Sequence, residues 1–194
     1  MQKAPLTKLL CVLSTAVLLC VATGRAASSR ESTSVAVVFS PTGEARRIHA
    51  AITQELGRAR RGVDLAIFNF TSRRLSKALI ATARRCRVRV LFDERSAKHI
   101  SISQHKELVG QGIQIRMVRL PGSGVRAAKF HHKFCVIDKE EVLTGSYNWT
   151  VSADEVNYEN LVILRDRRIA GQFSAEFERI WKNAKIAVPL EQAR

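Results

Sequence analysis

Between His131 and Asn148 the chain gathers an imidazole, an ammonium, a carboxylate, a hydroxyl and a carboxamide within eighteen residues. The apolar run Phe134 to Ile137 predicts a strand over Lys129 to Ile137. Alternate side chains of a strand share a face, so His131 and Lys133 project together while His132 and Phe134 turn away. A neutral imidazole can attack phosphorus or pass a proton, and a lysine ammonium beside it can hold a phosphate oxygen. Seven residues beyond Asp138 the chain turns through Gly145, where Ser146 and Asn148 offer neutral donors for charge that grows in a transition state. Asp138 lies an odd number of residues from His131 and falls on the other face. It is expected to be structural, tying down the turn that follows, and His132 is expected in a core or interface role.

No metal or cofactor is implied. Zinc sites draw on three or four convergent His, Cys or acidic ligands, and two-metal nucleases on clustered carboxylates; nothing in the sequence clusters that way. His49, His99 and His105 sit in helical stretches and are expected to be solvated or packed. Beyond the first 26 residues only Cys86 and Cys135 remain, without CxxC spacing, and are expected to be buried free thiols.

The elements that must position these groups alternate between short β-branched runs and longer helical ones. The fold class expected is α/β, a mixed, mostly parallel sheet flanked by helices. Strands are predicted at Val35 to Phe39, Val63 to Phe68, Arg87 to Phe92, Ile113 to Val118, Lys129 to Ile137, Glu141 to Leu143 and Asn160 to Leu164. Helices are predicted from Gly43 to about Arg60, from a Thr71 or Ser72 cap to Ala83, from Ala97 to Val109, and from Asp166 to about Ala184. Leu120 to Val125, with Pro121, Gly122 and Gly124, reads as a loop.

The chain opens with Lys3 and Lys8 before an apolar run from Leu9 to Ala22, then small residues around Gly24, Ala26 and Ala27. This is the three-part pattern of a secretory signal peptide. The run reaches about 21 Å as a helix, short of the roughly 30 Å of a bilayer core. The organisation expected is a signal peptide over 1–26, a linker over 27–33, one catalytic domain over 34–184 and a tail over 185–194. The product would be secreted or periplasmic, with an uncleaved N-terminal membrane anchor as the alternative. The formal charge is +15, and loss of the leader removes Lys3, Lys8 and Arg25 and no acid. So basic a surface attracts polyanions, whether nucleic acid or anionic lipid.

The spacing His131-x-Lys133, Asp138, then Gly145-Ser146-x-Asn148 resembles the signature of the phospholipase D superfamily. Ala66 to Ser72 is similar to the family's strand-to-helix entry, and Asn157-Tyr158-Glu159-Asn160 to its downstream Asn-x-Glu segment; the likeness covers about residues 34 to 182. The resemblance implies a phosphodiesterase in which a histidine forms a covalent phospho-histidine, a second histidine protonates the leaving oxygen, and water releases the product. It also implies that Glu159 accepts a hydrogen bond from His131 and fixes its tautomer. Larger members carry the motif twice, whereas this chain has it once. The economical solution is a homodimer with one composite site.

A short, basic chain with an export leader and a single motif is similar to the small secreted bacterial endonucleases of that superfamily. Those enzymes cut DNA, and often RNA, without metal or sequence choice. Arg116, Arg119, Arg126 and Lys129 flank the loop leading to His131 and are the expected backbone contacts, with Arg73 and Arg74 as additions. The alternative enzyme is a phospholipase D acting on phosphatidylcholine or cardiolipin with the same His131 and Lys133. The alternative of another class is a non-catalytic nucleic-acid-binding protein.

Overall fold

The computed structural model describes residues 33–40, 46–122 and 127–186. The expected signal peptide, most of the linker and tail, and Arg126 lie outside the described residues. Strands β1 (Ser34–Ser40), β2 (Gly62–Ile67), β3 (Arg87–Asp93), β4 (Gln114–Val118), β5 (Lys133–Ile137), β6 (Glu141–Gly145), β7 (Glu159–Arg165) and β8 (Lys185–Ile186) form one sheet in the order β1-β7-β6-β5-β2-β3-β4-β8. The mixed α/β class expected from the sequence holds. The balance within the sheet is the reverse of the expectation: only β2, β3 and β4 run parallel, and every other neighbouring pair is antiparallel. Only β5 and β6 are joined by a tight turn of the kind that makes neighbours antiparallel; the other antiparallel pairs join strands that are distant in sequence or linked through a longer segment.

Helices α1 (Arg47–Arg58), α2 (Arg73–Ala83), α3 (Glu94–His99) and α4 (His105–Gly110) precede β5, and α5 (Val151–Glu155) and α6 (Arg167–Asn183) follow β6 and β7. The apolar positions Ile48, Ile52 and Leu56 of α1, and Leu75 and Leu79 of α2, recur every four residues and are fully buried. They pack with Leu65, Ile67, Val90 and Ile163 in the larger core cluster, on one face of the sheet. On the other face α6 packs Ala170, Phe173 and Phe177 against Ala66, Leu91, Phe134 and Val142. Ser72 Oγ accepts from Leu75 N at 3.4 Å and Asp166 Oδ1 from Ile169 N at 3.0 Å, so each helix starts where a side chain takes up a free N–H.

A buried ion pair anchors α6. Asp64 accepts from Arg89 Nε and Nη2, both at 2.8 Å, and Arg89 also donates to Glu178 of α6 at 2.5 Å. The guanidinium lies 4.9 Å from the Phe177 ring centre and 5.0 Å from that of Trp181.

Three element predictions need correction. The single helix over Ala97 to Val109 is two short ones, because Asp93 caps α3 through Ser96 N at 2.8 Å and Ile100 is extended. The strand expected from Lys129 begins at Lys133. Phe130 N is taken by the Asp93 carboxylate at 2.9 Å instead of a neighbouring strand. The stretch between the strands predicted at Glu141 to Leu143 and Asn160 to Leu164, for which no element is predicted, holds the short α5, capped by Thr150 Oγ1. Cys135 is buried and Cys86 half-buried, and both are free thiols.

Candidate active site

The register of the sheet brings the motif residues to one end. Ile67 faces Lys133, Phe134 faces Thr144, Gly145 faces Leu161 and Ser40 faces Glu159. This is also the end where the parallel strands β2 and β3 terminate, the place where open α/β sheets bind ligands.

His131 and Lys133 project together, as the strand parity requires. Lys133 Nζ lies 3.2 Å from His131 Nδ1 and 3.4 Å from Nε2, and donates to the His131 carbonyl at 3.0 Å. Phe68, just beyond β2, is the platform under both: its ring centre lies 4.6 Å from that of His131 and 5.5 Å from Lys133 Nζ. Partial burial, then the positive charges of Lys133 and Lys129, hold the His131 imidazole below its ordinary range. Burial also draws the Lys133 ammonium down, against the pull of the Glu159 carboxylate. The shift at His131 favours the neutral imidazole, the state a nitrogen nucleophile requires.

Ser146 sits on the opposite strand pair. Its hydroxyl donates to Glu159 Oε2 and accepts from Asn160 N at 3.0 Å and Asn160 Nδ2 at 3.3 Å. Gly145 makes this possible. At φ +153° it passes so close to Asn160 that a Cβ would fall inside contact distance of the Asn160 carbonyl oxygen. Asn148 Oδ1 accepts from Asn69 N at 3.3 Å, and Thr71 N and Ser72 N both donate to Trp149 O. The Gly145 to Thr150 turn is thereby stitched onto the segment after β2.

Glu159 is arranged differently from the expectation. Its carboxylate is hydrogen-bonded by Ser146 and by Asn157 Nδ2 at 3.2 Å, and not by His131. Asp138 lies at the far end of β5, about 17 Å along the strand from Lys133. Its carboxylate accepts from the backbone N–H groups of Arg60, Arg61 and Gly62 at 2.6–3.2 Å. Burial raises its pKa, and those donors outweigh burial and hold it below the ordinary carboxylate value. The turn it secures is the one between α1 and β2, not the one that follows it.

Of the expected basic contacts, Lys129 is exposed beside His131, and Arg119 is exposed but paired with Glu94. Arg116 is not open for substrate: it donates to the Trp181 carbonyl and stacks on the Trp181 ring at 4.7 Å. Arg73 and Arg74 are exposed at the start of α2, beside α5. His132 turns away as expected, its ring 5.2 Å from Phe130 and 5.3 Å from Phe134, with Nε2 3.8 Å from Glu176. Sequence reasoning missed Phe68 and Asp93. Asp93 directly precedes α3, and the cap signal of an acid at a strand-to-helix junction could have found it. Among the described residues no group of three or more His, Cys, Asp or Glu side chains could hold a metal ion.

The family model described as cardiolipin synthase, PLD-like domain, matches residues 52–181, which contain every motif side chain above. The chain belongs to the phospholipase D-like family. That family is a family of phosphodiesterases, and the fold agrees with it. The phospholipase D family member Nuc from Salmonella typhimurium superposes with a TM-score of 0.70 at 26% identity, over 81% of this chain and 99% of that one. NucT from Helicobacter pylori gives a TM-score of 0.74 at 22% identity, over 80% and 100%. In sequence the chain is 39% identical over 136 residues to the mitochondrial cardiolipin hydrolase of Xenopus laevis, covering 68% of this chain and 59% of that one. The chain spans about half to three-fifths of the length of the cardiolipin hydrolases of frogs and human that it matches.

Proposed function

We propose that the protein is a metal-independent phosphodiesterase, a non-specific endonuclease that hydrolyses DNA, with RNA as a second substrate, at a site shared by two subunits. The observation that carries the phosphodiesterase reading is the His131–Lys133 pair on the Phe68 platform, a neutral imidazole beside a cation at the end of the sheet. In this reading a His131 ring nitrogen attacks phosphorus while Lys133 and the Asn148 amide hold non-bridging oxygens. The P–O bond to the leaving group breaks, and an imidazolium from the second subunit gives that oxygen its proton. Water then attacks phosphorus, the P–N bond breaks, and the same partner imidazole takes the water's proton. Glu159 acts through Ser146, which it holds at the Gly145 turn, and by its charge keeps Lys133 protonated.

The positions of the other histidines support a second subunit as the source of the acid. His132 faces α6, His105 packs against Phe92, and His49 and His99 lie on α1 and α3. None of them shares the strand face of His131.

Support for nucleic acid comes from the formal charge of +15 and from the exposed Lys129 and Arg119. The names of the cardiolipin hydrolase relatives favour a second reading, in which the same His131 chemistry cleaves cardiolipin or phosphatidylcholine. The test is to incubate the purified protein with plasmid, RNA and phospholipid vesicles in excess EDTA. Plasmid nicking that persists in EDTA and is lost in His131→Ala supports the endonuclease. Headgroup release without nicking contradicts it in favour of the lipid enzyme.

A further inference from the structure

Beside His131 lies a cleft of about 540 Å³, within the size of small-molecule sites. Its walls are the end of β4, the approach to β5 and the C-terminal half of α6. Leu120, Phe130 and Ile180 line it with apolar surface, and Lys129 and Arg179 stand on its rim. Lys129 and Arg179 are both exposed. Arg179 is held in place by two bonds of 2.7 Å to Glu176, which also faces His132. His131 itself lines the cleft, so whatever fills it lies next to the imidazole.

We propose that this cleft is a subsite for the nucleoside unit next to the scissile phosphate. The base lies against Leu120, Phe130 and Ile180, and the following phosphate reaches Lys129 and Arg179. The proposal rests on the endonuclease reading and specifies how it is carried out. An apolar wall accepts the flat face of any base, while the cations on the rim hold the backbone, a division that gives affinity without sequence choice. The polar groups of the cleft fit the same picture. Glu176 is already taken by Arg179, and Asn183 Nδ2 by the Arg179 carbonyl; of the other polar side chains in the lining, Arg119 is paired with Glu94 and His132 faces Glu176.

The test compares kcat/KM on a short oligonucleotide with kcat/KM on bis(p-nitrophenyl) phosphate, for wild type, Asn183→Trp and Arg179→Glu. Asn183 and Arg179 are both exposed, so the first variant fills the cleft and the second reverses the rim charge with little demand on the core. The expected result is that the ratio of oligonucleotide to small-diester kcat/KM falls about tenfold in each variant. Should Asn183→Trp fail to fold, as judged by thermal unfolding, Arg179→Glu alone decides. Wild type that cuts the oligonucleotide, with ratios unchanged in the variants, overturns the subsite and leaves the endonuclease reading standing. Wild type that cuts the small diester but no nucleic acid overturns both. A variant defect seen on cardiolipin vesicles and not on the oligonucleotide makes the occupant a lipid, and also overturns the proposal.

Discussion

Burial and two neighbouring ammonium groups act on His131 in the same direction, and both favour the neutral ring. A lowered folded-state pKa means that the nucleophile stays unprotonated to lower pH. The acid limb of kcat/KM is therefore expected below 6.5, the ordinary histidine value. Replacing Lys133 with Met removes one of the depressing charges, so the His131 ring should titrate at higher pH, as followed by its carbon-bound protons in NMR. An unchanged or lower midpoint would show that Lys133 does not set the state of the imidazole. Gly145→Ala tests the other half of the site. Its Cβ meets the Asn160 backbone rather than a yielding side chain, so unfolding in denaturant should show a loss of about 2 kcal/mol, with activity falling as Ser146 is displaced. At this scale much of the site is legible in sequence, because His131, Lys133, Ser146 and Asn148 lie on neighbouring segments whose parity can be counted. Phe68 follows β2 and Asp93 ends β3, strands that only the folded sheet brings alongside the motif. Arg116 misleads, because a basic residue near the motif gives no sign that Trp181 will take it.

At the scale of elements, Asp138 shows how a motif residue can serve the site from its far end. By gathering three backbone N–H groups it joins the turn between α1 and β2 to the end of β5, and so fixes the register that sets Lys133 opposite Ile67. Asp138→Asn should cost about 2 kcal/mol in denaturant unfolding, while activity per folded molecule stays within the range of wild type. The carboxylate's depressed pKa gives the sign of the pH dependence. Its stabilising contribution is present above the unfolded value, near 3.8, and is lost as pH falls through the lower folded value. Loss of activity per folded molecule in this variant would instead place Asp138 in the chemistry. The α/β class could be read from alternating runs, and the caps at Ser72 and Asp166 from residue type. The antiparallel majority of the sheet could not, because strand direction depends on which elements become neighbours. The break between α3 and α4 depends on Asp93 and Ile100, which weak helix periodicity did not separate.

For the whole molecule, no described element covers the α6 side of the sheet at its β1 end. Val35, Val37 and Phe39 alternate on β1 at 56%, 50% and 59% exposure. The register carries this strip to Asn160 and, at the next residue, to Glu159 opposite Ser40. An apolar strip that ends at the candidate site is where a second copy of the chain would bury surface and bring its own histidine. Val37→Arg should leave the fold intact, because the side chain is half in solvent. It should also shift the sedimentation coefficient from dimer to monomer and abolish nicking. A monomeric wild type, or a monomeric Val37→Arg that still cuts, would contradict this placement.

In the proposed mechanism one site needs His131 from each of two subunits. This need is tested by denaturing wild type with an equal amount of His131→Ala, refolding the mixture, and measuring nicking in EDTA against wild type alone at the same total concentration. A single composite site makes every mixed dimer inactive, so activity should fall to about a quarter. Retention of about half would mean that each subunit works with its own histidine, and the shared site would be wrong.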